Sequence, residues 1–115
     1  MSEKDWGLYL YDIVRSIEAI ESYTKGYTFD DFSHDRRTFD AVTRNFQIIG
    51  DAAKKLPKEI LSLYPMINWK EIKGMRDVVV HEYNELDTEA IWHVICDELA
   101  FLKETVKKMQ SDNGK

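Results

Sequence analysis

Apolar residues recur at steps of three and four along most of this chain, and this period constrains the fold more than any other feature. Steps of that size place side chains on one face of an α-helix. Four segments carry such a stripe, at residues 6–20, 39–56, 69–83 and 91–109. Four amphipathic helices are typical of a helical bundle, in which each stripe faces a shared core.

The residues between the stripes set the first boundaries. Gly26 is placed to end the first helix, and residues 27–33, rich in aspartate and aromatic residues, are predicted to be a connection. The second helix is predicted at about 33–56. Two prolines then bracket residues 58–64, which are predicted to form one or two helical turns.

Asn68 is predicted to cap the third helix, with Glu71 three residues later as in a capping box. The period of 3.6 continues through this segment to Tyr83. The run Val78–Val80 conflicts with it, because β-branched residues favour strands. We still predict a helix, since no partner strand is evident.

Asp87 or Thr88 is placed to cap the last helix, and the polar tail from about residue 111 is predicted to fray. The length is that of one domain, covering residues 1–115. The predicted fold class is all-α: an antiparallel up-and-down bundle of about four long helices plus a short one.

The net charge of −5 argues against non-specific binding of nucleic acid, which needs cations to displace phosphate counterions. A role on RNA therefore requires a local basic patch, and no DNA partner is expected. The alternative is that the basic residues form an ordinary solvated surface. The candidates are Arg36, Arg37, Arg44, Lys54, Lys55, Lys70, Lys73 and Arg76.

Nothing in the chain indicates a membrane or an oxidising compartment. No apolar run approaches the ~20 residues that span a bilayer. Residues 1–5 are polar and lack the apolar core of a signal peptide. Cys96 is the only cysteine, so no intrachain disulfide can form. We expect a cytoplasmic protein.

The sequence from Arg76 to Tyr83 contains the strongest chemical signal. Arg76 offers a planar guanidinium that suits phosphate, and His81 can transfer a proton near neutral pH. On a helix Asp77 and His81, four residues apart, can touch. Together these residues could cut a phosphodiester without a metal or cofactor. The alternatives are a histidine satisfied in the core, a salt bridge of Arg76, and a core aromatic at Tyr83.

The other candidate side chains carry weaker signals. His93 is interpreted as a packing residue, and no pair of histidines has the spacing of a metal site. Cys96 stands between Ile95 and acidic neighbours, so we interpret it as an inert core thiol.

The order of several short segments resembles one family. They are Tyr9–Ile13, Ile20, Tyr23, Gly26, Asp40–Val42, Arg44-Asn45, Ile49–Ala52, Pro65, Asn68-Trp69, Ile72, Gly74–Asp77, His81–Tyr83, Asp87 and Trp92. The chain is similar to HEPN proteins, in particular the HepT-like toxins of HEPN/MNT toxin–antitoxin modules. Two positions depart from the usual pattern: Asp51 stands where glutamate is common, and Asp77 where asparagine is common.

The resemblance implies an all-α homodimer that cuts RNA without a metal at a composite site between two copies. It implies catalytic roles for Arg76, Asp77 and His81. It also implies a partner, a nucleotidyltransferase antitoxin of the MNT type, which silences the toxin by adding AMP to Tyr83. The substrate would be RNA, with tRNA or mRNA as candidates, in a module of the type VII kind.

Two other functions stay open at this point. The first is a non-catalytic helical subunit that binds a nucleotide or a nucleotidyltransferase, which the acidic net charge favours. The second is a structural dimer in which the polar residues of the motif form ion pairs at the interface.

Overall fold

Helices provide all the regular secondary structure of residues 6–77 and 85–113, the part of the chain that this computed structural model describes. The all-α prediction is therefore confirmed. The helices are α1 (Trp6–Thr24), α2 (Phe29–Ser33), α3 (Arg36–Lys54), α4 (Lys58–Leu61), α5 (Trp69–Gly74), α6 (Glu85–Asp97) and α7 (Leu99–Asn113). A 3-10 turn at Met75–Asp77, here called the motif turn, directly follows α5.

The centre of the fold is α1, which packs against both α3 and α7. Two ion pairs show that α1 and α7 run antiparallel: Lys103 Nζ lies 2.6 Å from a carboxylate oxygen of Glu21, and Lys107 Nζ lies 3.7 Å from one of Glu18. Most members of the predicted stripes that lie within the described residues face this core. Its fully buried members include Leu10, Ile13, Ile17, Ile20, Val42, Ile49, Leu102 and Val106.

The predicted connection at residues 27–33 contains a short helix, so that prediction is wrong for α2. A capping box starts α2: the Thr28 hydroxyl accepts from the N–H of Asp31 at 3.1 Å, and the Asp31 carboxylate accepts from the N–H of Thr28 at 2.9 Å. The box turns the chain so that Phe32 is fully buried against the core.

Asp35 begins α3, two residues later than the predicted start at Ser33. Its carboxylate accepts hydrogen bonds from the Tyr27 hydroxyl at 2.5 Å, the Thr38 N–H at 3.0 Å and the Thr38 hydroxyl at 2.7 Å. These three donors, the Tyr27 hydroxyl foremost, lower the pKa of Asp35 to about 2. The charged form of this cap is therefore favoured in the folded protein.

The substitution Asp35→Asn is expected to lower stability at neutral pH and to flatten its decline in acid. The folded pKa of about 2 lies below the ordinary 3.8, so the stabilisation is present above the ordinary value and is lost as the pH falls toward 2. Asparagine keeps an oxygen for the Thr38 N–H but carries no charge. Thermal midpoints measured from pH 7 to pH 2 test this, and parallel profiles for the two proteins would contradict it.

The predicted last helix is two helices, because the chain turns at Glu98 between α6 and α7. Helix α6 begins at Glu85, so the predicted start at Asp87 or Thr88 is too late. Helix α7 continues to Asn113, two residues beyond the predicted beginning of the polar tail at residue 111.

The end of α7 is attached to the loop before α5. The Tyr64 hydroxyl donates to the Asp112 carboxylate at 2.5 Å, which raises the pKa of Tyr64 to about 12. Among the helices of residues 6–77 and 85–113, none combines the length and the apolar character needed to cross a membrane.

Candidate active site

Helix α5 leads directly into the motif of residues 76–83, and side chains at the start of α5 and in the motif turn hold it in place. The Asn68 side chain caps α5 as predicted, accepting from the Glu71 N–H at 3.2 Å. The indole of Trp69 is buried and donates to the carbonyl of Tyr64 at 2.9 Å. Met75 in the motif turn is buried as well, at 5% exposure. These contacts fix the direction in which the chain leaves α5.

The α-helical pattern stops at Gly74, and Arg76 and Asp77 lie in the motif turn. The continuous α-helix predicted from Asn68 to Tyr83 is therefore wrong at residues 75–77. A 3-10 turn advances about 120° per residue, so the α-helical spacing assumed in the prediction for Asp77 does not hold at residues 75–77. His81 and Tyr83, the other two predicted site residues, lie outside the described residues.

Gly50 determines where the motif turn sits. A Cβ atom added at Gly50 would lie 2.1 Å from the backbone N of Arg76, 2.8 Å from the carbonyl carbon of Met75 and 2.9 Å from the Cα of Arg76. Backbone therefore packs against backbone at this point, and only glycine leaves room for it. Helix α3 is the surface against which Arg76 is positioned.

Arg76 lines a shallow cleft of about 300 Å³, here called the α3 cleft, together with Arg44, Gln47, Ile48 and Asp51 of α3. The Arg76 side chain is 47% exposed, so its guanidinium is open to a ligand. Residues 44, 48 and 51 are spaced by four and three and share one face of α3.

Asp77 is more exposed than Arg76, at 75%, and its carboxylate lies 4.0 Å from the Nε atom of Arg76. On a continuous helix, Asp77 was predicted to lie within reach of His81. The structure places its carboxylate beside Arg76, and its relation to His81 lies outside the described residues.

The α3 cleft is more positive than the chain as a whole. Asp51 is paired with Lys55 at 3.4 Å, and Asp77 is the neighbour of Arg76. The charged residues that line the cleft are Arg44, Arg76 and Asp51, which give a local charge of +1 in a chain whose net charge is −5. Of the eight basic residues proposed for a patch, two line the cleft. Arg36 does not: it forms an exposed ion pair with Asp40 on α3, at 3.9 Å.

Two weaker predictions about other side chains are wrong. His93 is exposed rather than packed, with its Nδ1 atom 2.6 Å from the carboxylate of Asp97 and its Nε2 atom 3.8 Å from that of Glu98. Cys96 is also exposed rather than in the core. Partial desolvation, and then the charge of Asp97, raise the pKa of Cys96. Its thiol is therefore a poor nucleophile, as the acidic neighbours predicted.

Comparison with known protein families gives a match that covers most of the chain. A family model described as ribonuclease HepT-like matches residues 13–109. The chain belongs to the HepT-like ribonuclease family. The match extends from α1 to α7, so it includes the α3 cleft, the motif turn and the remainder of the motif. The resemblance to HepT-like proteins predicted from the sequence is confirmed.

Several curated proteins align with this HepT-like chain over nearly its whole length. A probable ribonuclease HepT of Thermococcus cleftensis is 38% identical over 109 residues, which cover 95% of this chain and 96% of that protein. A candidate RNase of Methanocaldococcus jannaschii is 32% identical over 117 residues, covering 98% and 97% respectively.

A second M. jannaschii protein, named as a gamma-glutamylcyclotransferase and candidate RNase, is 41% identical over 112 residues. They cover 97% of this HepT-like chain but 50% of that protein. No solved structure matches the chain.

Two features of the site were not identified as such from the sequence. Arg44 was included among eight basic residues and among the segments that resemble the family, but not as a site residue, although its spacing from Asp51 is that of one helix face. Gly50 carried a clearer signal, because a glycine inside a strongly periodic helix often marks a close approach of another backbone.

Proposed function

We propose that this protein is a metal-independent endoribonuclease, the toxin of a type VII-like HEPN/MNT module. Membership of the HepT-like ribonuclease family and relatives named as RNases support RNA cleavage. The observation that carries the proposal is the position of Arg76. Its guanidinium is half exposed in a positive cleft, on a turn whose backbone is held by Gly50.

In the proposed reaction, the ribose 2′-oxygen attacks the adjacent phosphorus and the bond to the 5′-oxygen breaks. The products are a 2′,3′-cyclic phosphate and a 5′-hydroxyl. His81 accepts the proton of the 2′-hydroxyl or donates one to the leaving oxygen, and the His81 of a second copy performs the other transfer. Arg76 stabilises the charge on the phosphate, and Asp77 favours the charged form of His81.

A homodimer is part of this proposal, because one copy supplies a single histidine of the motif. The proposed partner is a cognate MNT-type nucleotidyltransferase in the cytoplasm. Transfer of AMP to the Tyr83 hydroxyl would place a bulky anion next to the motif and would repel the RNA backbone. Mapping the ends of the cleaved RNA fragments would show whether the substrate is tRNA or mRNA.

The test is cleavage of total RNA by purified protein in the presence of a chelator. The substitutions Arg76→Ala and His81→Ala are each expected to reduce the rate by at least ~100-fold, the usual loss when a transition-state donor or an acid–base group is removed. Arg15→Ala is the control, because Arg15 is exposed on α1 and hydrogen-bonds to Tyr11 on the same helix at 3.0 Å. Circular dichroism checks that helicity is retained.

Undiminished cleavage by both motif variants would remove the proposed mechanism, and cleavage only after a metal is added would remove metal independence. The alternative is a non-catalytic subunit that binds a nucleotide or the nucleotidyltransferase, which the net charge of −5 favours. Growth arrest on expression without the partner, relieved by His81→Ala, is expected from the toxin and not from the subunit.

A further inference from the structure

Helix α3 contributes a second guanidinium to the α3 cleft, that of Arg44, which lies on the N-terminal side of Gly50. Arg44 is exposed and lines the cleft with Arg76. Among the described side chains, no carboxylate lies within 4.0 Å of it. Asp51, the acid in the same cleft, is paired with Lys55, and Asp40, one turn before Arg44, is paired with Arg36. The charge of Arg44 is therefore available to an anion from solution.

The separation of the two guanidiniums follows from the packing. The Cα atom of Arg76 lies against Gly50, and Arg44 precedes Gly50 by six residues on the same helix. With a rise of 1.5 Å per residue, the two arginines leave the backbone about 9 Å apart along α3. Both side chains project into one cleft from these points, with Ile48 between them at 37% exposure.

We propose that Arg44 binds a phosphate of single-stranded RNA next to the phosphodiester that Arg76 holds. This inference rests on the proposed function and adds a binding residue outside the motif. A backbone entering the cleft would present consecutive phosphates to two fixed forks of N–H donors, with a sugar against the apolar surface of Ile48. An arginine that contacts a phosphate adds affinity without sequence preference.

The role differs from that of Arg76 in a measurable way. Arg44 binds a phosphate that does not react, so its interaction is the same in the ground state and in the transition state. Loss of such an interaction raises KM and leaves kcat nearly unchanged. Loss of Arg76 is expected to lower kcat.

The experiment measures binding of a fluorescent single-stranded RNA oligonucleotide to full-length protein carrying His81→Ala, which prevents cleavage. Adding Arg44→Gln is expected to weaken binding roughly fivefold at 0.1 M salt and to reduce the slope of log K against log salt by about 0.7, the value for one lost contact with a single strand. Arg44→Lys keeps the charge and is expected to keep the slope.

Arg36→Gln is the matched control. It removes the same charge from the same helix, but Arg36 pairs with Asp40 and does not line the α3 cleft. Equal affinities and salt slopes for the Arg44→Gln and Arg36→Gln proteins would overturn the role of Arg44. If wild-type protein still cut RNA in that case, the proposed function would stand.

Kinetics of the otherwise wild-type enzyme separate the remaining outcomes. A rise in KM for Arg44→Gln with kcat unchanged supports the neighbouring-phosphate role. A fall in kcat as large as that for Arg76→Ala would overturn it, because Arg44 would then act on the reacting phosphate. Protein that neither binds nor cuts RNA would overturn both this inference and the proposed function.

Discussion

Replacement of Phe32 by alanine is expected to lower the free energy of unfolding by about 4 kcal/mol, which is typical when a buried aromatic side chain is truncated to alanine. Phe32 is fully buried, although it belongs to a helix of five residues. Its ring centroid lies 5.6 Å from that of Phe39 on α3 and 5.1 Å from that of Trp92 on α6. One side chain therefore connects three helices.

Phe101→Ala is the matched control, because Phe101 is 49% exposed on α7. The same number of atoms is removed, but about half of the side chain is already in contact with water, so the loss is expected to be much smaller, about 1 kcal/mol. Urea denaturation of both variants measures the difference. Equal midpoints would mean that the ring contacts of Phe32 with Phe39 and Trp92 do not hold α2 and α6 against α3.

The long helices could be predicted because their signal is local. The stripe Phe39, Val42, Phe46 and Ile49 is buried as the period requires, and so are Leu102, Val106 and Met109 of α7. Each stripe specifies which face is apolar, and a bundle is the arrangement that covers several such faces.

Short elements and breaks could not be predicted from the period. Helix α2 has five residues, too few to show a repeat, and its only signal was the pair Thr28 and Asp31 at capping-box spacing. The turn at Glu98 was invisible because Ile95 and Leu99 are four residues apart and continue the stripe across the break.

Side chains at the edge of a stripe were assigned to the wrong surface. Cys96 follows Ile95 directly, but consecutive residues on a helix point about 100° apart, so an apolar neighbour says little about exposure. His93 follows Trp92 in the same way and is exposed beside Asp97. For such positions only the packing partners decide.

The sequence proposed residues for the candidate site but could not place them against a particular helix. The guanidinium of Arg76 indicated phosphate chemistry, whereas the contribution of α3 depends on which helix lies beneath the motif turn. Arg44 precedes Arg76 by 32 residues, and no local pattern connects the two. The contact at Gly50 brings them together.

Gly50→Ala is expected to destabilise the protein by about 3 kcal/mol, the upper part of the usual range for overpacking a filled interior. The added methyl would overlap the backbone of Met75 and Arg76, at 2.1 to 2.9 Å from three atoms. A flexible side chain could move aside, but here the motif turn or α3 must shift as a whole. A misplacement of about 1 Å in a catalytic group can cost ~100-fold in rate. The folded fraction of the variant is therefore expected to cut RNA more slowly than the wild-type protein.

Gly74→Ala provides the control, since Gly74 also lies in a helix next to the motif turn but has nothing within 4 Å of an added Cβ atom. Alanine there is expected to keep or raise stability, by up to about 1 kcal/mol, because it is the better helix former. The pair therefore separates the general effect of a methyl group from its effect at the contact. If the Gly50 variant unfolded at the same denaturant concentration as the Gly74 variant and cut RNA at the wild-type rate, Arg76 would not depend on α3 for its position. The contact at Gly50 would then not be what places Arg76 and Arg44 in one cleft.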